Sequence, residues 1–135
     1  MKALADKGID FDKDFMVPGN FDIESGYEGM TDLLKKGLKP TAMFCSNDDM
    51  AMGAMKAVFD FGLHVPDDIS IMGFDDNGIS GYLSPGLTTV KRPIEKVSKA
   101  GVKILLSKME GKLQHNTEVI NLPTKLVIRA SVAII

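Results

Sequence analysis

Short apolar runs alternate with helix-length segments along this chain, and that alternation restricts the fold more than any other feature. The runs fall at residues 15–17, 42–46 and 69–74. The third, with Ile69, Ile71, Met72 and Phe74, is apolar on both faces, as a central parallel strand must be. Between the runs the apolar spacing is helical. Residues 1–7 read as a helix stopped at Gly8. Tyr27, Met30, Leu33 and Leu34 share one face of a helix that Asp22 caps and Gly37 ends. Asn47 caps a helix over 48–61, with Asp48 and Asp49 in its first turn and Gly62 as its stop. Val65-Pro66-Asp67-Asp68 is a turn, 75–86 is a loop rich in Gly, Ser, Asn and Pro, and 87–90 is extended. Pro93 sits at the first position of a helix with Ile94, Val97, Gly101 and Leu105 on one face, ending at Gly111. Residues 117–122 and 125–128 read as strands. Strands alternating with helices predict an α/β fold, a parallel sheet flanked by helices and joined by right-handed crossovers.

The 135 residues suffice for a core. Hydrophobic residues make up 44% and charged residues 25%, which disfavours disorder and fibrous folds. No apolar run is long enough to cross a membrane. The first residues carry Lys2, Asp6 and Lys7 and do not form a secretion signal. The first helix has no cap ahead of it, so the chain reads as truncated. Sixteen basic and 18 acidic residues are mixed along the chain, net charge −2. A DNA-reading domain would show a basic stripe, so a small-molecule partner is expected instead. Cys45 is the one cysteine and has no partner for an internal disulfide. Beside Met43 and Phe44, it reads as a buried strand thiol. Nine methionines fit a reducing compartment.

Ligands of open α/β sheets bind beyond the carboxyl ends of the strands. The three tips here carry Asn20-Phe21, Ser46-Asn47-Asp48 and Asp75-Asp76-Asn77. A carboxylate accepts from neighbouring hydroxyls, an amide donates and accepts at once, and an aromatic face covers the C–H side of a sugar or base. Phe21, Asn47 and Asp75 are therefore the candidate ligand residues. Each also has a purely structural reading: Asn47 as a helix cap, Asp75 as a loop cap, Phe21 as a hydrophobic staple.

The helix over 48–61 is apolar nearly all round. Lys56 and Asp60 hold its polar arc, Met50, Ala54 and Val58 can face the sheet, and Met52 and Phe59 point elsewhere. Such a helix is buried on more than one side, in a larger domain or against another subunit. Enzyme readings are poorer. Asp48, Asp49, Asp75 and Asp76 could hold magnesium, but such residues more often cap and face solvent. His64 and His115 lie in loops with no nucleophile arrangement. No phosphate loop, dinucleotide fingerprint or zinc spacing occurs. No metal, no cofactor and no catalytic residue is expected.

Three ordered blocks resemble a known family. Residues 40–54, PTAMFCSNDDMAMGA, are similar to its PTAxFxxNDxMAxGA block. Residues 62–76, GLHVPDDISIMGFDD, are similar to its VPxDIS-xx-GFDD block. Residues 82–90, YLSPGLTTV, are similar to its Y-xx-P-x-LTTV block, and the tail LPTKLVIRAS fits its ending. The family is the LacI/GalR group of bacterial transcription regulators. The resemblance implies the C-terminal part of a periplasmic-binding-protein-like (type I) effector domain, with ligand held between two subdomains. On that reading residues 1–89 form the C-terminal subdomain, 90–121 cross the hinge into the other, and 122–135 return. The resemblance also implies that Phe21 stacks on a sugar or purine-like effector, that Asn47 and Asp75 bind its hydroxyls, and that Met52 and Tyr82 lie at a homodimer interface. It implies a cytoplasmic repressor that touches DNA only through an N-terminal helix-turn-helix outside this chain. A periplasmic sugar carrier of a transport system, with the same fold, is the alternative.

Overall fold

The computed structural model describes residues 2–112 and 119–133. The elements are α1 (Lys2–Ala5), α2 (Ile23–Lys35), β1 (Ala42–Phe44), α3 (Asp48–Asp60), β2 (Ser70–Met72), β3 (Thr89–Lys91), α4 (Ile94–Met109) and β4 (Lys125–Val127). The predicted punctuation holds at the helix ends. Asp22 accepts from the Ser25 N–H and Asn47 from the Met50 N–H. Gly8, Gly37, Gly62 and Gly111, each just past a helix, all have positive φ. Pro93 sits one place earlier than expected, at the cap position before Ile94.

β1 and β2 pair in parallel, with Ala42 opposite Ser70 and Phe44 opposite Met72. Parallel bridges continue on the other side of β2, from Met72 to Thr88 and from Asp75 to Lys91. The chain then returns, and β4 pairs with β3 antiparallel. The pairing is therefore parallel across the α3 crossover and across the loop that follows β2, and antiparallel at the returning strand. Beneath it lie Met30, Ala51, Ala54, Val58, Ile69, Ile71 and Leu87, all buried. Full burial of a side chain such as Leu87 contributes about 1.5–3 kcal/mol.

α2 and α3 cross at glycines. A Cβ on Gly53 would overlap the Ile23 carbonyl oxygen and lie 2.6 Å from the Tyr27 nitrogen. A Cβ on Gly26 would lie 2.6 Å from the Met50 Cα. Backbone touches backbone there, which only residues without a side chain allow.

Two expected strands do not form. Residues 15–17 were expected in the sheet. Instead Lys13–Phe15 is a 3-10 turn capped by Asp12, and Met16 is extended without a ladder partner. A cleft lined by Phe15, Met16, Val17, Met43 and Phe44 separates this segment from β1. An extended segment becomes a strand only where a neighbour takes its N–H and C=O groups. In the second case, Thr117 and Glu118 lie outside the described residues, and 119–122 form no ladder. His115 also lies outside them. α4 keeps its apolar stripe, but none of its residues is buried: Ile94, Val97 and Leu105 are exposed.

Candidate functional site

The register of β1 and β2 brings the segments that carry Asn47 and Asp75 out at the same end of the paired strands. Asn47 and Asp75 each lie three residues beyond the paired positions Phe44 and Met72. Asn47 is buried and used at both ends: its Oδ1 accepts from the Met50 N–H at 2.9 Å, and its Nδ2 donates to the Phe21 carbonyl at 2.8 Å. The cap and the Phe21 loop are thus one unit. The Phe21 ring is not a staple, for it is 65% exposed. Asp75 is mostly shielded, and its Oδ1 lies 2.6 Å from the Arg92 Nε.

Backbone conformation marks the same places. Among the described residues, the non-glycine residues with positive φ are Phe21 (63°), Asp75 (125°) and Asp76 (60°). Such conformations cost on the order of 1–3 kcal/mol each and persist where the surroundings enforce them. Here the Asn47 amide holds Phe21, and the Asp75 N–H donates to the Val90 carbonyl at 2.9 Å.

The four aspartates do not converge. Asp48, expected to cap and face solvent, is fully buried. Its Oδ2 accepts from the Asn77 N–H at 2.7 Å and the Ser80 hydroxyl at 2.6 Å, and its Oδ1 from the Thr89 hydroxyl at 2.5 Å. The physical reason is topological: α3 starts where the 75–86 loop folds back, so its first turn is covered. Asp49 accepts from the Asn77 amide. Asp76 takes Arg129 at 2.7 Å and Lys91 at 2.9 Å. The Arg129 guanidinium first, then the Lys91 ammonium, hold the Asp76 carboxyl below its ordinary pKa. Four carboxylates with four separate sets of donors do not make a cation cage. Among the described residues no group of three or more His, Cys, Asp or Glu side chains converges. His64 stays in the turn after α3, beside Asp68. Cys45 is buried as expected, and burial pushes its thiol up to about 12, with the Asp48 charge adding to this.

Sequence reasoning missed the buried role of Asp48, and missed Arg92 and Arg129 altogether. Arg129 spans the tail and the tip, donating to the Leu87 carbonyl and to Asp76. Nothing local marks that reach. Asp48 carried a signal in the hydroxyl residues Ser80 and Thr89, but they lie 32 and 41 positions away.

The residues expected at an interface are placed as follows. Met52 is half-buried on α3, and Tyr82 is 89% exposed. Ser80 and Asn77 tie the Tyr82 loop to the start of α3 through Asp48.

Known proteins are similar to this chain in sequence and fold. The periplasmic binding protein-like domain family matches residues 1–132. A probable HTH-type transcriptional repressor named ExuR, from Bacillus subtilis, is 48% identical over 132 residues, covering 98% of this chain and 39% of that protein. The HTH-type transcriptional repressor PurR of Erwinia tasmaniensis is 40% identical over 133 residues, covering 98% of this chain and 39% of its own length. The chain therefore spans about two fifths of these relatives. Among solved structures, a LacI-type transcription regulator from Bifidobacterium animalis superposes with TM-score 0.91 at 30% identity, covering 99% of this chain and 48% of that one. The lac repressor dimer bound to operator and an anti-inducer superposes with TM-score 0.83 at 33% identity, covering 97% and 44%. The chain belongs to the periplasmic binding protein-like domain family, in the form that LacI-type transcription regulators carry.

Proposed function

We propose that this chain is the ligand-sensing and dimerisation part of a cytoplasmic LacI-type repressor, without catalytic activity. The observation that carries this is an exposed Phe21 ring, held at positive φ by the buried Asn47 amide just beyond β1, with Asp75 the corresponding distance beyond β2. Phe21 would stack on a sugar or purine-like ring, and Asn47 and Asp75 would meet its hydroxyl or ring nitrogen groups. Residues 1–89 would form one wall of the ligand cleft, 90–121 would enter the opposite wall, and 122–135 would return. Ligand closing that cleft would bias a dimer between two operator affinities. Met52 and Tyr82 would lie in the dimer interface.

The transport-carrier reading is the weaker one, because relatives that match nearly the whole chain are named as transcriptional repressors. Among the described residues, no helix is long and apolar enough to cross a membrane. The test is operator affinity of the full-length protein across a panel of sugars and nucleobases. One compound is expected to change it at least about five-fold, the low end of ordinary allosteric coupling, and Phe21→Ala to abolish that response. An operator affinity indifferent to every compound would overturn the reading.

A further inference from the structure

Of the asparagines in the chain, Asn77 alone is followed by glycine. The pair lies in the 75–86 loop, where the Ser80 N–H donates to the Asn77 carbonyl at 2.9 Å and closes a turn. Gly78, within that turn, is exposed, and a Cβ added there would meet no atom within 4 Å. Among the described residues, the Gly78 N–H has no acceptor. The Asn77 amide is held by one contact, Nδ2 donating to Asp49 at 3.2 Å, the long end of the ordinary range. Asn47 is the contrast: its amide is buried, is used at both ends at 2.8 and 2.9 Å, and precedes the fully buried Asp48.

An asparagine side chain is an electrophile for the backbone nitrogen that follows it. The Gly78 nitrogen forms a bond to the Asn77 Cγ as the Cγ–Nδ2 bond breaks, and ammonia leaves with the Gly78 proton. Water then opens the cyclic imide at one of its two carbonyls. The product is aspartate or, where the main chain now runs through Cγ, isoaspartate. A side chain at 78 would crowd this ring closure, and glycine has none.

The product meets carboxylates. The Asn77 N–H donates to Asp48 at 2.7 Å and its amide to Asp49. Asp48 otherwise has the hydroxyls of Ser80 and Thr89, so its donors are all uncharged. The nearby cations Arg129 and Lys91 are engaged by Asp76. A carboxylate at 77 removes a donor from Asp49 and adds a like charge beside it, which is unfavourable at such a distance. Isoaspartate also lengthens the main chain by a methylene between the Asn77 N–H and the Ser80 hydroxyl, the two groups that Asp48 holds through one oxygen. We propose that Asn77 is a spontaneous deamidation site whose conversion to aspartate or isoaspartate loosens the 77–86 loop from the start of α3.

The test is peptide mass mapping of the full-length protein after incubation at neutral and mildly alkaline pH. Trypsin cutting after Lys56 and Lys91 yields a peptide of residues 57–91, in which Asn77 is the one amide side chain. That peptide is expected to gain the mass difference between an amide and an acid, faster at higher pH because the attacking nitrogen must lose its proton. Gly78→Ala, which has space for its methyl, is expected to lose the gain over the same incubation. Asn77→Asp reads the consequence. Its urea midpoint is expected below that of Asn77→Ala, which lacks the amide without adding charge, and the gap is expected to narrow as salt screens the repulsion. No mass gain in residues 57–91, or a gain undiminished in Gly78→Ala, would overturn the assigned site. An Asn77→Asp midpoint equal to or above that of Asn77→Ala would overturn the loosening of the loop.

Discussion

Asp48 illustrates how one side chain couples three distant segments. Its carboxylate receives the Asn77 N–H and the hydroxyls of Ser80 and Thr89, in a site with no solvent exposure. Asp48→Ala leaves those donors unmatched, so a loss of about 3–5 kcal/mol is expected, comparable with removing one partner of a buried charged pair. Urea unfolding of the variant and the parent measures it. Asp76 behaves differently because its partners are cations. Arg129 and Lys91 lower its folded-state pKa, so protonating it opposes folding. Its contribution is present above the ordinary aspartate pKa of about 3.9 and is lost as pH falls through the lowered folded value. Thermal melts from neutral to acid pH should therefore show stability dropping below about pH 4, and Asp76→Asn should flatten that part of the profile. A variant as acid-sensitive as the parent would show that other carboxylates dominate.

At the scale of elements, the α2–α3 crossing sets how closely the helices approach. Gly26 and Gly53 let the two backbones touch, and Gly53 has the Ile23 carbonyl and the Tyr27 nitrogen against it. Gly53→Ala is expected to destabilise by about 1–3 kcal/mol, the usual cost of an overpacked contact, although alanine favours a helix over glycine by about 1 kcal/mol. Denaturant midpoints would decide the sign, and a stabilised variant would mean that the helices separate easily. The apolar spacing predicted both helices, and Asp22, Asn47 and the following glycines predicted their ends. The spacing did not predict the crossing, because glycine in a helix also reads as a neutral weak spot. Residues 15–17 have the composition of a strand and lack the ladder, since pairing depends on what lies beside a segment and not on its own side chains.

For the whole molecule, the exposed surface carries the next question. Tyr82 is 89% exposed, and its loop is tied to the α3 start that also carries Met52. In the proposed dimer this surface is covered. Tyr82→Asp would place a charge in a desolvated contact, so the full-length protein is expected to sediment as a dimer and the variant as a monomer. A variant that remains dimeric would move the interface elsewhere. α4 is amphipathic, yet its apolar face is open to solvent in this chain. Periodicity states which face is apolar and is silent on what lies against it.

The helices, the strands at 42–44 and 70–72, the caps Asp22 and Asn47 and the buried Cys45 were legible in the linear chain, whereas the strand expected at 15–17 does not form; Phe21, Asn47 and Asp75 were nominated from the same local spacing. These depend on local spacing and on the rule that parallel strands end in a shared row of tips. The partners of those residues were not legible. Asp75 meets Arg92, Asp76 meets Arg129 53 positions away, and Asp48 is enclosed by a loop that returns over the start of α3. Such pairings arise when the sheet register brings remote segments together. Local preference has no access to contacts made across that distance, and so the charges at the strand tips received their roles only in the folded chain.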